Sequence, residues 1–249
     1  MLERYTGSKP QQFYPFILLT NFKSYFEEFS RSYKAVKTTG SIMETAHSAT
    51  ANISMVNFRM GAPTAALVMD TLSYLNPQAL LMLGMCGGLH PNVKVGEFIL
   101  PMAAIRNEGT SQFYMPSQVP ALPTFKVQMI LSQVLVQSEV AYKTGVIHST
   151  DYRFWEFDAD FKKSLKTEKA MGIEMECSSL FIVGFKRKIP VGALLLVSDL
   201  PLKKKGIKTN KSSEKVFKQY SSNHVNLGVQ TLKQIQTLKP EIDLRHFEW

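Results

Sequence analysis

The chain has 249 residues, 45% hydrophobic and 20% charged. These globular proportions exclude a disordered or collagen-like polypeptide and suit one large α/β domain or two small ones. Two cysteines, Cys86 and Cys177, exclude a disulfide framework and fit a reducing, cytoplasmic setting, and no Cys/His cluster has zinc spacing. The formal charge of +9, from 29 basic and 20 acidic residues, is compatible with nucleic acid, a membrane surface or a small anion as partner.

No apolar run reaches the length of a bilayer span; the longest, 79–85 and 191–197, are strand-sized. Met1-Leu2-Glu3-Arg4 carries an acid and leads into no long apolar core, which argues against a secretory signal. Between Lys203 and Lys218 stand seven lysines and one acid, Glu214. That segment reads either as a solvated face or as an anion-attracting flap beside a site. An arginine-aromatic stripe and a recognisable nucleic-acid module are both missing, so nucleic acid is not the expected partner, and neither is a membrane.

In chain order, residues 16–19 read as a strand and Asn21 as the cap of a helix running through Tyr33. Residues 52–58 form a second strand. Pro63 suits the first turn of a helix that Asn76-Pro77 stops near Leu75. A buried strand spans 79–83 and ends at Gly84. Residues 98–100 and 103–105 are extended and broken by Pro101, and Pro123 opens a helix to about Ser138. A strand over 142–148 precedes a helix from about Asp158. Residues 170–175 are strand-like, 178–186 helical, and 191–197 the last buried strand. The final helix sets Val216, Phe217, Tyr220, His224 and Leu227 on one face. With no repeat and no Gly/Ser/Pro linker, this pattern predicts a single domain over 1–249. The expected fold is a three-layer α/β/α sandwich around a central mixed β-sheet.

Ligands of such sheets gather at the C-terminal ends of strands. Four groups stand there: Gly84-Met85-Cys86-Gly87-Gly88, Ser149-Thr150-Asp151, Glu174-Met175-Glu176 and Ser198-Asp199. The glycines allow a tight turn whose backbone N–H groups cradle an anion, or an ordinary strand-to-loop turn. A carboxylate of Glu174-Met175-Glu176 matches the vicinal hydroxyls of a ribose, with Met175 as an adaptable wall; equally, the acids suit a helix N-terminus. Asp199, at the mouth of an apolar strand, is either a desolvated general acid or a turn aspartate.

Taken together, the GxCGG, TD, EME and VSD groups, with Phe58-Arg59-Met60-Gly61 and Val95-Gly96-Glu97-Phe98, resemble the nucleoside phosphorylase and nucleosidase superfamily, in its hexamer-forming branch. The likeness runs over nearly the whole chain. Within it, Leu18-Leu19-Thr20-Asn21-Phe22, Met43-Glu44-Thr45-Ala46-His47-Ser48, Ala51-Asn52-Ile53-Ser54, Cys86-Gly87-Gly88-Leu89, Trp155-Glu156 and Val197-Ser198-Asp199 with Pro201-Leu202 are similar to the AMP nucleosidases. The likeness is to their catalytic part, without the N-terminal regulatory domain of the longer members.

The resemblance implies cleavage of a purine N-glycosidic bond: AMP and water giving adenine and ribose 5-phosphate. It implies Asp199 as general acid to the purine and Glu176 as holder of the ribose hydroxyls. Met175 and Met60 would line the sugar, and Phe154 or Trp155 would stack on the base. Where phosphorylases of this branch have a phenylalanine, two residues after the turn aspartate, Arg153 stands instead. Their phosphate-binding arginine and serine are replaced by Met82 and Met85, which points to water as nucleophile, with Glu174 or Glu44 as base. The 5′-phosphate is expected on Lys208 or Arg153, with Arg106, Lys23 and His47 as further candidates. Gly87 belongs to the ligand turn. Cys86 reads as a buried, inert thiol. A hexamer is implied, and neither a metal nor an organic cofactor is.

Overall fold

The computed structural model describes residues 1–204, 206, 207, 209–238 and 244. Its strands are β1 (Phe16–Thr20), β2 (Val36–Thr39), β3 (Glu44–Ser48), β4 (Ile53–Asn57), β5 (Ala79–Gly88), β6 (Phe98–Asn107), β7 (Tyr142–Thr150), β8 (Gly172–Glu174) and β9 (Val191–Asp199). Its helices are α1 (Leu2–Thr6), α2 (Lys23–Ser32), α3 (Ala62–Ser73), α4 (Phe125–Gln137), α5 (Ala159–Glu168), α6 (Cys177–Arg187) and α7 (Asn210–Leu238). No helix of the described residues is long and apolar enough to cross a membrane.

The nine strands form one mixed sheet in the order β2-β3-β4-β1-β5-β8-β7-β6-β9. Because β9 also pairs with β5, strands β5, β8, β7, β6 and β9 close on one another into a ring. The expected sandwich therefore curls shut at one end. Its two faces follow from the two-residue side-chain period of a strand. Leu18, Leu81, Leu83, Leu194 and Leu196 pack with α2, α4 and α7. Ile17, Leu19, Leu80, Met82 and Leu195 pack with α3 and α6. Because both faces are covered, these strands are apolar throughout rather than alternating.

The predicted strands and helices recur with small changes of boundary. The hydrogen bonds left by Pro101 are absorbed by a register shift between Pro101 and Ala103, so 98–107 is one strand. The C-terminal helix buries Val216, His224 and Leu227 as its pattern implies. His224 is a core histidine, with Nδ1 2.9 Å from the Tyr25 hydroxyl and Nε2 3.1 Å from the Leu194 carbonyl. Burial lowers its pKa to about 3.

Three local expectations fail. Strands β2 and β3 have no counterpart in the sequence reading; Val36-Lys37-Thr38-Thr39 is an exposed edge strand held by pairing to β3 rather than by an apolar face. Asn21 does not cap α2, whose N-cap is Phe22. The glycines of 84–88 do not form a turn, for β5 continues through Gly88. They are required by close packing. A Cβ on Gly88 would lie 2.8 Å from Leu200 and 3.0 Å from Val93 and Val197, and one on Gly87 3.0 Å from Pro201. Gly88→Val is expected to destabilise the fold by about 1–3 kcal/mol through overpacking, measured by urea denaturation.

Candidate active site

Strand pairing brings the four strand-end groups together. Gly87 and Gly88 of β5 pair with Ile173 and Gly172 of β8, and Ser149 of β7 lies opposite Glu174. The β5–β9 register slips between Cys86 and Gly87, so that Gly87 faces Asp199 and Ser198 is the extra residue. Such a bulge takes Asp199 out of strict alternation and turns it to the cleft. Asp199, Glu176, Glu174, Met175, Met60, Arg153, Trp155 and Gly87, all expected from the sequence, line one solvent-open cleft with about 730 Å3 of empty space.

The two glutamates of Glu174-Met175-Glu176 play different parts. Glu174 is committed to the protein: its Oε2 accepts from the backbone N–H groups of Glu176 and Cys177, at 2.8 and 2.7 Å, and Oε1 accepts from the Ser149 hydroxyl. This carboxylate caps the N-terminus of α6, the placement expected of an acid against a helix dipole. With both oxygens engaged it is poorly placed to activate water. Glu176 accepts from the Gly61 N–H at 2.7 Å and from the Asn21 side chain. Gly61, at the start of α3, has φ +99°, a conformation in which glycine is favoured.

Both carboxylates are buried. Burial raises the pKa of Glu174, against the pull of its hydrogen bonds to Ser149, Cys177 and Glu176. Burial, and then the charge of Glu174, push Glu176 up to about 8. Cys177 is raised well above an ordinary thiol by burial and by Glu174, so it is unreactive. Asp199 is half-buried, and the Ser198 hydroxyl donates to its Oδ1 at 2.6 Å, with the Cys86 carbonyl at 3.3 Å as an alternative acceptor. Cys86 is buried, as expected. Among the described residues, no three His, Cys, Asp or Glu side chains come together as metal ligands.

Several expected residues are placed elsewhere. Phe154 is 68% exposed and does not line the cleft, whereas Trp155 does, buried against Ile173 and Leu165. The Arg106 guanidinium is consumed by the carbonyls of Met115, Pro116 and Val119 and the Ser111 hydroxyl, where it fastens a loop. His47 is a core residue between the Ser54 and Ser8 hydroxyls, at 2.9 and 2.8 Å, and burial lowers its pKa to about 4. Asp151 accepts from the Gly109 N–H at 2.8 Å and holds a neighbouring loop. Met82 is buried against α3 and α6, so only Met85 of the two methionines reaches the cleft. Lys208 lies outside the described residues.

Glu44 is also outside the lining. It accepts from Asn57 Nδ2 at 2.7 Å and stands 3.8 Å from Lys23 and 3.6 Å from Arg59. Arg153 pairs with Glu156 at 3.0 Å. Asn21, Phe22, Tyr152 and Glu156 also line the cleft, although the sequence does not mark them as ligand contacts. Three of them carry a signal only as members of family-like segments, Asn21 and Phe22 after β1 and Glu156 beside Trp155. Tyr152 carries none.

Glu176 gives a pH test. A glutamate of ordinary pKa 4.5 in the unfolded chain is held at about 8 in the fold. The folded state therefore binds the extra proton between these values, and stability falls as pH rises through that window. Glu176→Gln is expected to melt progressively higher than the parent as pH goes from about 5 to about 8. Thermal melts at a series of pH values check this.

Comparison with known proteins adds to this geometry. The Phosphorylase superfamily pattern matches residues 15–233. The AMP nucleosidase of Escherichia coli strain K12 is 28% identical over 98% of this chain, which spans 59% of that relative's length. A uridine phosphorylase of Treponema pallidum strain Nichols is also 28% identical, over 69% of this chain and 70% of its own. The crystal structure of an AMP nucleosidase from Bacteroides thetaiotaomicron VPI-5482 is 36% identical, covers 96% of each chain and superposes with a TM-score of 0.86. With the pattern spanning most of the chain, and the matching strand-end groups assembled in one cleft, this protein belongs to the Phosphorylase superfamily.

Proposed function

We propose that this protein hydrolyses the N-glycosidic bond of AMP, releasing adenine and ribose 5-phosphate. The observation that carries the reading is the convergence on one cleft of Asp199, at the end of β9, and Glu176, at the N-cap of α6. Breaking the bond leaves electrons on the purine and positive charge on the sugar. Asp199 in its acid form delivers a proton to ring nitrogen N7 of the departing base. Glu176 accepts hydrogen bonds from the ribose hydroxyls, and its ionised form stabilises the oxocarbenium-like sugar. Burial and Glu174 work against that ionised form in the free protein, and the hydroxyl donors and developing positive charge of a bound sugar work in its favour. Met175 and Met60 wall the sugar, and Trp155 offers a face to the base.

Water rather than phosphate is the nucleophile in this reading. Met85, beside Gly87, is apolar, and Arg153 is the one cation of the described lining. Arg153 is matched one to one by Glu156, so this reading assigns the substrate's 5′-phosphate to Lys23 and Arg59, which lie outside the lining and adjoin its Asn21–Phe22 and Met60 in sequence. These two share a single carboxylate, Glu44, beside Asn21 and Met60, and leave a net positive charge at the Glu176 end. The similarity to AMP nucleosidases supports the nucleotide substrate; that to uridine phosphorylases favours phosphorolysis of a nucleoside as the second reading.

Incubation with AMP, with adenosine, and with adenosine plus phosphate separates the two. Release of adenine from AMP in phosphate-free buffer is expected; cleavage of adenosine only with phosphate, AMP remaining intact, would replace the first reading by the second. Asp199→Asn is expected to lower kcat about 10²–10⁴-fold while AMP binding persists, by chromatographic assay and calorimetry. Lys23→Ala and Arg59→Ala are expected to raise KM for AMP, with little change for adenosine. Arg153→Ala should affect both substrates alike.

A further inference from the structure

The cleft holds a second carboxylate that the bond cleavage does not use. Glu156 stands in the short turn Trp155–Phe157, with its side chain only 10% exposed. Its Oε1 accepts from Arg153 at 3.0 Å. Its Oε2 is buried and has no hydrogen-bond partner among the described residues. A buried carboxylate oxygen without a donor is destabilising, and such a deficit is removed when a ligand brings the donor.

Glu156 lines the same cleft as Asp199. Its neighbour Trp155 is buried with Ile173, and Leu202, three residues beyond Asp199, packs on the same cluster. Gly87, the strand partner of Asp199, abuts both Ile173 and Pro201. Glu176 lines that cleft too, tied to Gly61 and Asn21.

We propose that Glu156 is the residue that selects a 6-aminopurine, its Oε2 accepting a hydrogen bond from the exocyclic amine. The assignment rests on the reading of the site as a purine N-glycosidase. In a 6-aminopurine, N7 and the C6 amine project from the same edge of the ring, so an acid at N7 brings the amine beside a neighbouring carboxylate. An ionised carboxylate only accepts, and the amine only donates. A 6-oxopurine would turn a carbonyl oxygen toward the same carboxylate and leave both without a donor. Arg153, bound to the opposite oxygen, supplies the countercharge that the buried group needs. Sites built to bond a substrate's polar group reject analogues lacking it by large factors.

The test uses two readouts on the full chain. Calorimetry with free adenine and free hypoxanthine needs no catalysis: the parent protein is expected to prefer adenine by about 10²-fold or more. Glu156→Gln, which sets an amide donor among the acceptors, should shrink that preference at least about tenfold, and should shift kcat/KM from AMP toward IMP in the same sense. Equal or absent binding of the two bases by the parent protein overturns the assignment, and so does an unchanged preference in a Glu156→Gln protein that melts at the parent temperature. Selective adenine binding lost in Glu156→Gln, with no ribose 5-phosphate released from AMP, would leave Glu156 as base reader and remove the hydrolase reading. AMP cleavage with a preference indifferent to Glu156 would do the reverse.

Discussion

The site depends on how two acids, one residue apart, occupy the same buried wall. Two ionised carboxylates so close would repel strongly; the chain engages Glu174 as an acceptor, and Glu176 holds its proton more tightly in response. The Glu176 and Cys177 amides and the Ser149 hydroxyl hold Glu174 at the mouth of α6, where the helix dipole favours an anion. Fixing Glu174 fixes the backbone of Glu176, since one of the donors is the amide of Glu176 itself. The Gly61 amide and Asn21 then aim the second carboxylate from across the cleft. The network continues outward: the Ser178 amide donates to the Ser149 hydroxyl at 3.0 Å, and the Ser178 hydroxyl to Glu108 at 2.9 Å. Neither acid is therefore an independent element, and the apolar sheet below them provides the stiffness that such an arrangement requires.

Much of this is legible in the sequence because the core strands are unambiguous. The stretches that form β1, β5 and β9 are apolar runs of strand length with no competing period, and the acids at their ends have to emerge at the mouth of a sheet. Asp199 and Glu176 stand out on that ground, and family likeness sharpens the choice. The edge strands escape notice because Val36-Lys37-Thr38-Thr39 carries no hydrophobic alternation; only pairing makes it a strand. The glycine run misleads for the opposite reason, since glycine signals a turn locally but here answers to neighbours distant in sequence, Val93, Val197 and Leu200.

Side-chain commitments are the least readable feature. Arg106 and Arg153 look alike in a sequence, yet one is spent on loop carbonyls and the other faces the cleft. His47 looks from the sequence like a candidate ligand contact but is fully satisfied within the core. Glu156 does not stand out in the sequence, because an oxygen unpartnered among the described residues is a property of the folded surroundings.

The bulge at Ser198 has an implication of its own. Side-chain direction along a strand is a matter of parity, and one supernumerary residue reverses it from that point on. The facing of Asp199 is thus encoded in how many residues β9 holds opposite β5, independently of what those residues are. A conservative apolar replacement in this strand leaves the facing of Asp199 intact, whereas the loss of a single residue between the paired ends would reverse it.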